Sequence, residues 1–471
     1  VGYPWPRLPT FPYLAYLFKM TATGNHTGYR VDISNRQILG IALPISLAIL
    51  VPQINFITNN IFLGHLNEQS LATAGITGVY YLIFAVVGNG INNGLQALIA
   101  RRAGEGRVEE IGRLFSHGVR IALLLAAIGI VVTYLVVPWV MKFSLNSAEL
   151  RNLAVHFLKI RIWGLPFLYM YQMRNALLIG INQSKFLIYG TLAETLTNII
   201  LDYGLIFGHF GLPALGFDGA AFASVASEVI GMLVVFTVIR GKGIGKKLSL
   251  YKRFGFDAIT SKLIVFQSSP LVFQYVISLA SWEFFYIMIE HHGQRDLAIS
   301  NTMRNIFGMF GAFTWAFAST TNTMVSNIIG QGKKDQVMKL MLKIIRLSMG
   351  FAICIALLLN IFPRVWLSVY GQDAGFIEEA IPVVRVVSSA LVMMSFATVW
   401  LNAVTGTGNT KINLGIEVVT IIFYCIYVYL VLGYFNLPIL YGWMSEWLYW
   451  LVTFILAYIY MRSGKWKTKE I

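Results

Sequence analysis

Charge is what this chain has least of. Asp, Glu, Lys and Arg supply 12% of its 471 residues while 57% are hydrophobic, against roughly 25% charge in soluble domains. A soluble fold this apolar could not cover its own surface with polar side chains, so the solvent is lipid. Cysteine is nearly missing too. Cys354 and Cys425 both sit in apolar runs, which excludes a disulfide framework or thiolate metal centre and reads as two small core residues. No nucleotide loop is present, because Gly104-Glu105-Gly106 lacks the Gly-Lys-Ser/Thr ending and the strand–helix setting. Glu290-His291-His292 is the nearest thing to a metal motif, but adjacent residues on a helix diverge by about 100°. No catalytic serine, cysteine or metal constellation stands out, so neither an enzyme nor a cofactor is expected.

The formal charge of +15 could signal a nucleic-acid partner, but its distribution argues against one. The basic residues gather in alternate connections: Arg101 to Arg113, Arg240 to Lys262, Lys333 to Arg346, and Arg462 to Lys469. The intervening connections are nearly bare, with Lys142, Arg151, Arg295 and Arg364 as the main exceptions. This positive-inside alternation predicts a multi-pass protein of the cell inner membrane with both termini in the cytoplasm. Residues 1–38 have no compact apolar core after a basic start, so they read as an N-terminal tail rather than a signal peptide. Residues 1–19, ahead of Met20, are set outside the fold.

What is abundant is apolar sequence, and it repeats. Pro44 recurs as Pro270, and 270 − 44 = 226. Gly104-Glu105-Gly106-Arg107 recurs at the same offset as Gly330-Gln331-Gly332-Lys333, and Gly180…Lys185 as Gly406…Lys411. Windows of about 20 apolar residues, the length needed to cross a bilayer, give twelve spans: 39–63, 71–100, 114–137, 152–178, 188–207, 217–239, 263–289, 298–328, 338–362, 378–403, 412–433 and 441–461. Length alone would suggest about three soluble domains; the repeat argues for one membrane unit with two lobes. The expected fold is all-α: two pseudo-symmetric six-helix lobes, 39–239 and 263–461, joined by a linker at 240–262 and followed by a tail at 462–471. Six spans return the chain to the same side, so the lobes should be related by an axis along the membrane normal. Such a duplicated bundle is a typical build of a secondary transporter, with alternating access by rocking of one lobe against the other.

Ionisable groups inside spans are functional candidates by default. Glu194, Asn198 and Asp202 follow each other at steps of four in the fifth span and share one helix face. A carboxylate beside amide oxygens suits a monovalent cation or a proton; the structural alternative is a hydrogen-bond network between helices. The first span adds Gln53, Asn55, Asn59 and Asn60, and the second adds Asn89, Asn92, Asn93 and Gln96. At the equivalent second-repeat positions Asn59 becomes Phe285, Asn198 becomes Tyr424 and Asp202 becomes Val428, which places the polar site in the first lobe. Glu283, next to Trp282 and followed by Phe284, Phe285 and Tyr286, could hold an organic cation by charge and cation–π attraction. Tyr169 and Gln172 could line the same cavity. Pro44 and Pro52 break the first span twice and could let it switch between straight and bent shapes.

Several stretches together resemble the multidrug and toxic compound extrusion (MATE) transporters: Leu43-Pro44-Ile45…Ile61-Phe62-Leu63-Gly64-His65-Leu66, Arg101-Arg102-Ala103-Gly104-Glu105-Gly106, Asn198-Ile199-Ile200-Leu201-Asp202 and Gly219-Ala220-Ala221-Phe222-Ala223-Ser224. The resemblance covers about residues 36–460. It implies a secondary active exporter of small cationic or amphipathic organic compounds, a monomer driven by H+ or Na+. It also implies coupling roles for Asn198 and Asp202, with Ser224 as a neighbouring hydroxyl. Asn59 stands where many members carry an aspartate, and Ser278 and Met394 stand where NorM-like members carry acids. The resemblance is therefore closer to the DinF-like arrangement, with Glu194 able to supply the absent charge. Two rivals remain: a lipid-linked precursor flippase, disfavoured by acidic rather than arginine-rich candidates, and a non-transporting receptor.

Overall fold

A computed structural model describes residues 29–469 apart from 146, 253 and 370–372. The first lobe comprises α1 (Asn35–Leu66), α2 (Glu68–Glu105), α3 (Val108–Ser144), α4 (Ala148–Arg161), α5 (Leu165–Gly180), α6 (Leu187–Phe207) and α7 (Phe217–Gly241). A short α8 (Ile244–Lys247) lies in the linker. The second lobe comprises α9 (Ala258–Glu290), α10 (Gln294–Gly330), α11 (Val337–Ile361), α12 (Pro363–Ser368), α13 (Ala374–Gly406), α14 (Thr410–Val428), α15 (Ile439–Trp443) and α16 (Ser445–Arg462). With α4 and α5 forming one interrupted span, and α15 leading into α16, this is the twelve-helix, two-lobe membrane fold expected.

Among the described residues, ten helical segments are long and apolar enough to cross a membrane by length and composition. The two spans outside that set are α6 and α10. Both carry polar side chains turned inward: Thr191, Thr195, Asn198 and Asp202 on α6, and Thr320, Thr321, Asn322, Thr323, Ser326 and Asn327 on α10, all buried. Lipid-side faces are the reverse. Leu124, Val131 and Leu135 of α3 and Leu357 and Ile361 of α11 are exposed, which in a bilayer means contact with acyl chains.

The repeated glycine turns have a physical cause. Gly106 and Gly332 both adopt φ of +78°, the left-handed conformation that ends a helix cheaply only in glycine. Gly104 and Gly330 are required for a different reason. A Cβ on Gly104 would lie 2.1 Å from the Asn327 carbonyl oxygen, and one on Gly330 would lie 2.3 Å from that of Arg101. Because Asn327 is the repeat mate of Arg101, α2 and α10 cross in a nearly symmetric contact at the end of the bundle where residues 29–33 and 465–469 lie.

Lobe packing keeps the same symmetry. α1 lies on α6 and α9 on α14 within the lobes, while α2–α9, α1–α10 and α2–α10 join them. Close approach of α2 to α9 depends on Gly90, whose Cβ would meet the Val272 backbone at 2.6 Å. One apolar core runs through the first lobe into Phe317, Ile328, Leu340 and Val404, and a second fills the remaining part of the second lobe.

Three details depart from the sequence expectation. The first helix begins at Asn35, with Ser34 accepting a capping bond from the Gln37 N–H, so part of the 1–38 tail is helix; residues 1–28 lie outside the described residues. The fourth span is interrupted by a 3-10 turn at Ile162–Gly164 ahead of Pro166. The linker is tied to α3, through Arg120 to the Phe254 carbonyl (2.5 Å) and the Asp257 N–H to His117 Nε2 (3.0 Å).

Candidate functional site

The face of α6 that carries Glu194, Asn198 and Asp202 turns toward α1 and α7. Glu194 packs against Gly231 of α7, where a Cβ would sit 3.0 Å from its own Cβ. The surroundings orient the Asn198 amide so that its nitrogen donates to Asn55 Oδ1 (2.6 Å) and Asp202 Oδ2 (3.2 Å), and its oxygen accepts from the Ser224 backbone N–H (3.2 Å). Ser224 thus meets Asn198 through its main chain, whereas the resemblance implied its hydroxyl. Asp202 is fully buried. Its Oδ1 has no hydrogen-bond donor, and neither does the buried Oδ1 of Asn59. α1 and α6, the first and fifth spans with three crossings between them, run in the same direction. The Asn55–Asn198 contact therefore puts Asn59, one turn on, level with Asp202. Gln53, on the same helix, is half-buried.

A buried acceptor without a donor is costly, and a buried carboxylate without a positive partner more so. Two such oxygens on facing helices make a place where a proton or a monovalent cation would restore the balance. The structure brings Asn55, Asn198, Asp202 and Ser224 together directly and Asn59 beside them; Glu194 lies two helical turns away along α6.

The first lobe holds a second buried charge centre, not anticipated from sequence. Arg161 donates to both oxygens of Glu228 (2.6 and 3.0 Å). Its guanidinium lies 3.7 Å above the Tyr81 ring, and the Tyr81 hydroxyl donates to the same carboxylate (3.1 Å). The pair also accounts for the glycine at the interruption of the fourth span: a Cβ on Gly164 would fall 2.0 Å from Glu228 Oε2.

The second lobe buries carboxylates as well. Phe285, Tyr424 and Val428 do fill the positions of Asn59, Asn198 and Asp202, and all are buried. Two buried glutamates nevertheless stand nearby at other positions. Glu417 of α14 accepts from Ser278 (2.5 Å), Gln274 (3.3 Å) and Tyr449. Glu446 of α16 accepts from the indole N–H groups of Trp450 (3.0 Å) and Trp282 (3.5 Å). Trp282 therefore meets Glu446 instead of its chain neighbour Glu283, which is half-buried. Both glutamates lie within the spans drawn at 412–433 and 441–461, so the rule that singled out Asp202 would have named them.

Tyr169 and Gln172 also depart from a cavity-lining role. Tyr169 is buried and donates to the Phe84 carbonyl (2.9 Å), while Gln172 donates to Ala85 O (3.2 Å) and Asn89 Oδ1 (3.1 Å). Both fasten α5 to α2. Pro44 and Pro52 lie inside an unbroken α1. Among the described residues, no group of three His, Cys, Asp or Glu side chains gathers to hold a metal ion.

Twelve membrane helices in two pseudo-symmetric lobes, with polar groups aimed inward and a buried carboxylate between helices, define a membrane transporter of the two-lobe class. The MatE family matches residues 44–204 and 270–430, two segments at the offset of the internal repeat, and the chain belongs to this family of multidrug transporters. It is 23% identical over 448 residues to a probable multidrug resistance protein NorM of Thermotoga maritima, covering 93% of this chain and 94% of that one. A NorM protein of Synechocystis sp. is 30% identical over 196 residues, 41% of this chain and 42% of the relative. Among solved structures, an outward-facing multidrug resistance MATE transporter superposes with a TM-score of 0.85 at 16% identity, covering 95% of this chain and all of that one. A Pyrococcus furiosus transporter of the same superfamily, described as having a binding pocket of reversed polarity, superposes at 0.83 with 17% identity, again over 95% of this chain and all of that one.

Proposed function

We propose that this chain is a secondary active exporter of small cationic or amphipathic organic compounds, coupled to H+ or Na+ through the first lobe. The observation that carries the reading is the Asp202 carboxylate: fully buried, bonded by Asn198 at one oxygen and left without a donor at the other. Neutralising it with a proton or cation removes an uncompensated charge from a medium of low dielectric. The same event would draw Asn59 and Asn55 of α1 toward α6, because both helices supply oxygens to one positive group. Ion binding would in this way bias the arrangement of α1 against the rest of its lobe, and release on the far side would reset it. The lobes would rock against each other. The basic clusters support placement in the cytoplasmic membrane with the terminal segments inside.

The test is dye efflux from proteoliposomes under an imposed sodium or proton gradient, run on the wild type and on Asp202→Asn. The expected result is efflux driven by one gradient and lost in the variant, at unchanged reconstitution yield. Undiminished gradient-driven efflux by Asp202→Asn would sink the coupling role. No efflux under either gradient would bring the flippase reading forward.

A further inference from the structure

The hydrogen bonds crossing between the lobes concentrate on the half of the bundle that ends at the α2–α10 crossing. Gln96 donates to Thr323 (2.8 Å) and the Ser319 carbonyl (3.0 Å), Asn322 to the Asn93 carbonyl (3.1 Å), and Ser326 to the Ala97 carbonyl (2.6 Å). Beyond them the two repeat mates Arg101 and Asn327 face opposite ways, and here the symmetry breaks. Arg101, buried at the end of α2, reaches the other lobe directly and donates to the carbonyls of Gly406 (3.3 Å) and Thr407 (3.4 Å) at the C-terminus of α13. A cation suits that end of a helix, where carbonyls lack intrahelical donors.

Asn327 makes no equivalent reach to Gly180, the repeat mate of Gly406, in its hydrogen bonding. Its amide holds the non-helical segment 29–33 that precedes α1. It accepts from the Val31 N–H (3.1 Å) and donates to the Tyr29 carbonyl (3.0 Å). Gln331 donates to the Val31 carbonyl (2.9 Å) and Lys343 to the Ile33 carbonyl (3.0 Å). The segment itself belongs to the first lobe. Arg30 donates to the Gly104 carbonyl (3.1 Å), and α1, which follows at once, is fixed by Gln37 to Asn182 (2.8 Å) and by Ser184 to the Ile41 carbonyl (3.1 Å). The Val31 side chain is buried.

We infer that residues 29–33 form a latch that holds the lobes closed at the end with the α2–α10 crossing, with Asn327 as its keeper and Arg101 as the opposite clasp. Opening a path at that end separates the first-lobe strap from α10 and α11. It therefore breaks both Asn327 bonds and those of Gln331 and Lys343, together with the Arg101 pair. Asn327 and Arg101 are positioning residues for the transport cycle: they touch no cargo and set how often the closed state gives way. The inference rests on alternating access by this chain but not on which compound or ion it moves.

The experiment is double electron–electron resonance on the full chain in nanodiscs, with spin labels at the exposed repeat mates Arg107 and Lys333 and with Cys354 and Cys425 changed to serine. Asn327→Ala removes two strap bonds and should raise the ratio of open to closed distance populations about tenfold. Gln331→Ala and Lys343→Ala, nearer the rim, should each raise it severalfold and together match Asn327→Ala. Should Asn327→Ala fail to give monodisperse protein, the Gln331→Ala/Lys343→Ala pair carries the test alone. Populations unchanged in variants that melt like the wild type would overturn the latch, whereas a purely structural role would lower the melting point without moving the distance ratio. Because the readout is a distance, it stands or falls separately from any failure of dye efflux.

Discussion

Removing the Glu228 carboxylate is the sharpest perturbation the first lobe offers. Arg161 and Glu228 have side chains only 14% and 5% exposed, and the pair makes two charge-assisted hydrogen bonds. At an effective dielectric constant of about 20, two unit charges 4 Å apart attract by roughly 4 kcal/mol. Glu228→Leu forfeits that attraction and strands a guanidinium whose remaining close contact is the Tyr81 ring at 3.7 Å. The expected cost is about 3–5 kcal/mol, the usual penalty for breaking a buried pair on one side. Arg161→Met should cost a similar amount, because the carboxylate then keeps only the Tyr81 hydroxyl. The double variant should lie within about 1 kcal/mol of the wild type, since no charge is left behind and an apolar pair of similar volume replaces it. Reversible unfolding in mixed micelles, followed by circular dichroism, measures all three. Single variants costing under about 1 kcal/mol would mean that water reaches the pair and that it behaves as a surface bridge. A double variant as unstable as the sum of the singles would refute the reasoning from uncompensated charge.

Two further outcomes separate the lobes and the ends of the molecule. Glu417→Gln and Glu446→Gln should each leave the ion dependence of dye efflux unchanged, because their carboxylates already hold three and two donors; loss of gradient coupling in either would move the coupling site to the second lobe. At the end opposite the termini, Arg295 bonds Asp373 and Glu379, and that guanidinium, helped by the Phe376 N–H, holds the Asp373 carboxyl well below the ordinary carboxylate range. Its contribution is therefore present above the unfolded-state value of about 3.9 and lost as pH falls through the lower folded value. Hydrogen-exchange protection factors at residues 294–300 should stay flat from pH 7 to about pH 5 in the wild type and fall only in stronger acid, while Arg295→Gln should bring that fall to higher pH.

The features legible in the sequence are those with local causes. Spans were readable because lipid forces a long apolar run for each crossing. The turn glycines were readable because a left-handed φ or a backbone contact leaves the same residue in both copies. On α6, one of the two least apolar spans, polar residues at helical spacing led to Asn198 and Asp202.

Everything that escaped the reading depends on partners far away in the chain. The carboxylate that requires a glycine at the Ile162–Gly164 break comes from α7, 64 positions beyond Gly164 (228 − 164 = 64). Trp282 was assigned to Glu283 because they are adjacent, yet a helix sends neighbours in different directions, and the carboxylate that meets the indole arrives on α16. Glu417 and Glu446 have Thr191 and Ala220 as repeat mates, so neither carboxylate stands where the first lobe has one. Duplication constrains the backbone at equivalent places because both lobes must pack alike. It does not constrain where a lobe buries its charge, provided each carboxylate finds donors or a cation. Arg101 and Asn327 make the same point at the crossing: the main chains approach almost symmetrically, as the glycines require, while one side chain clasps a helix end and the other holds the strap, whose repeat counterpart in the linker is held by His117 and Arg120 of α3 instead. Function in a duplicated transporter is thus written where the copies differ, and those differences become readable only once the lobes are folded against each other.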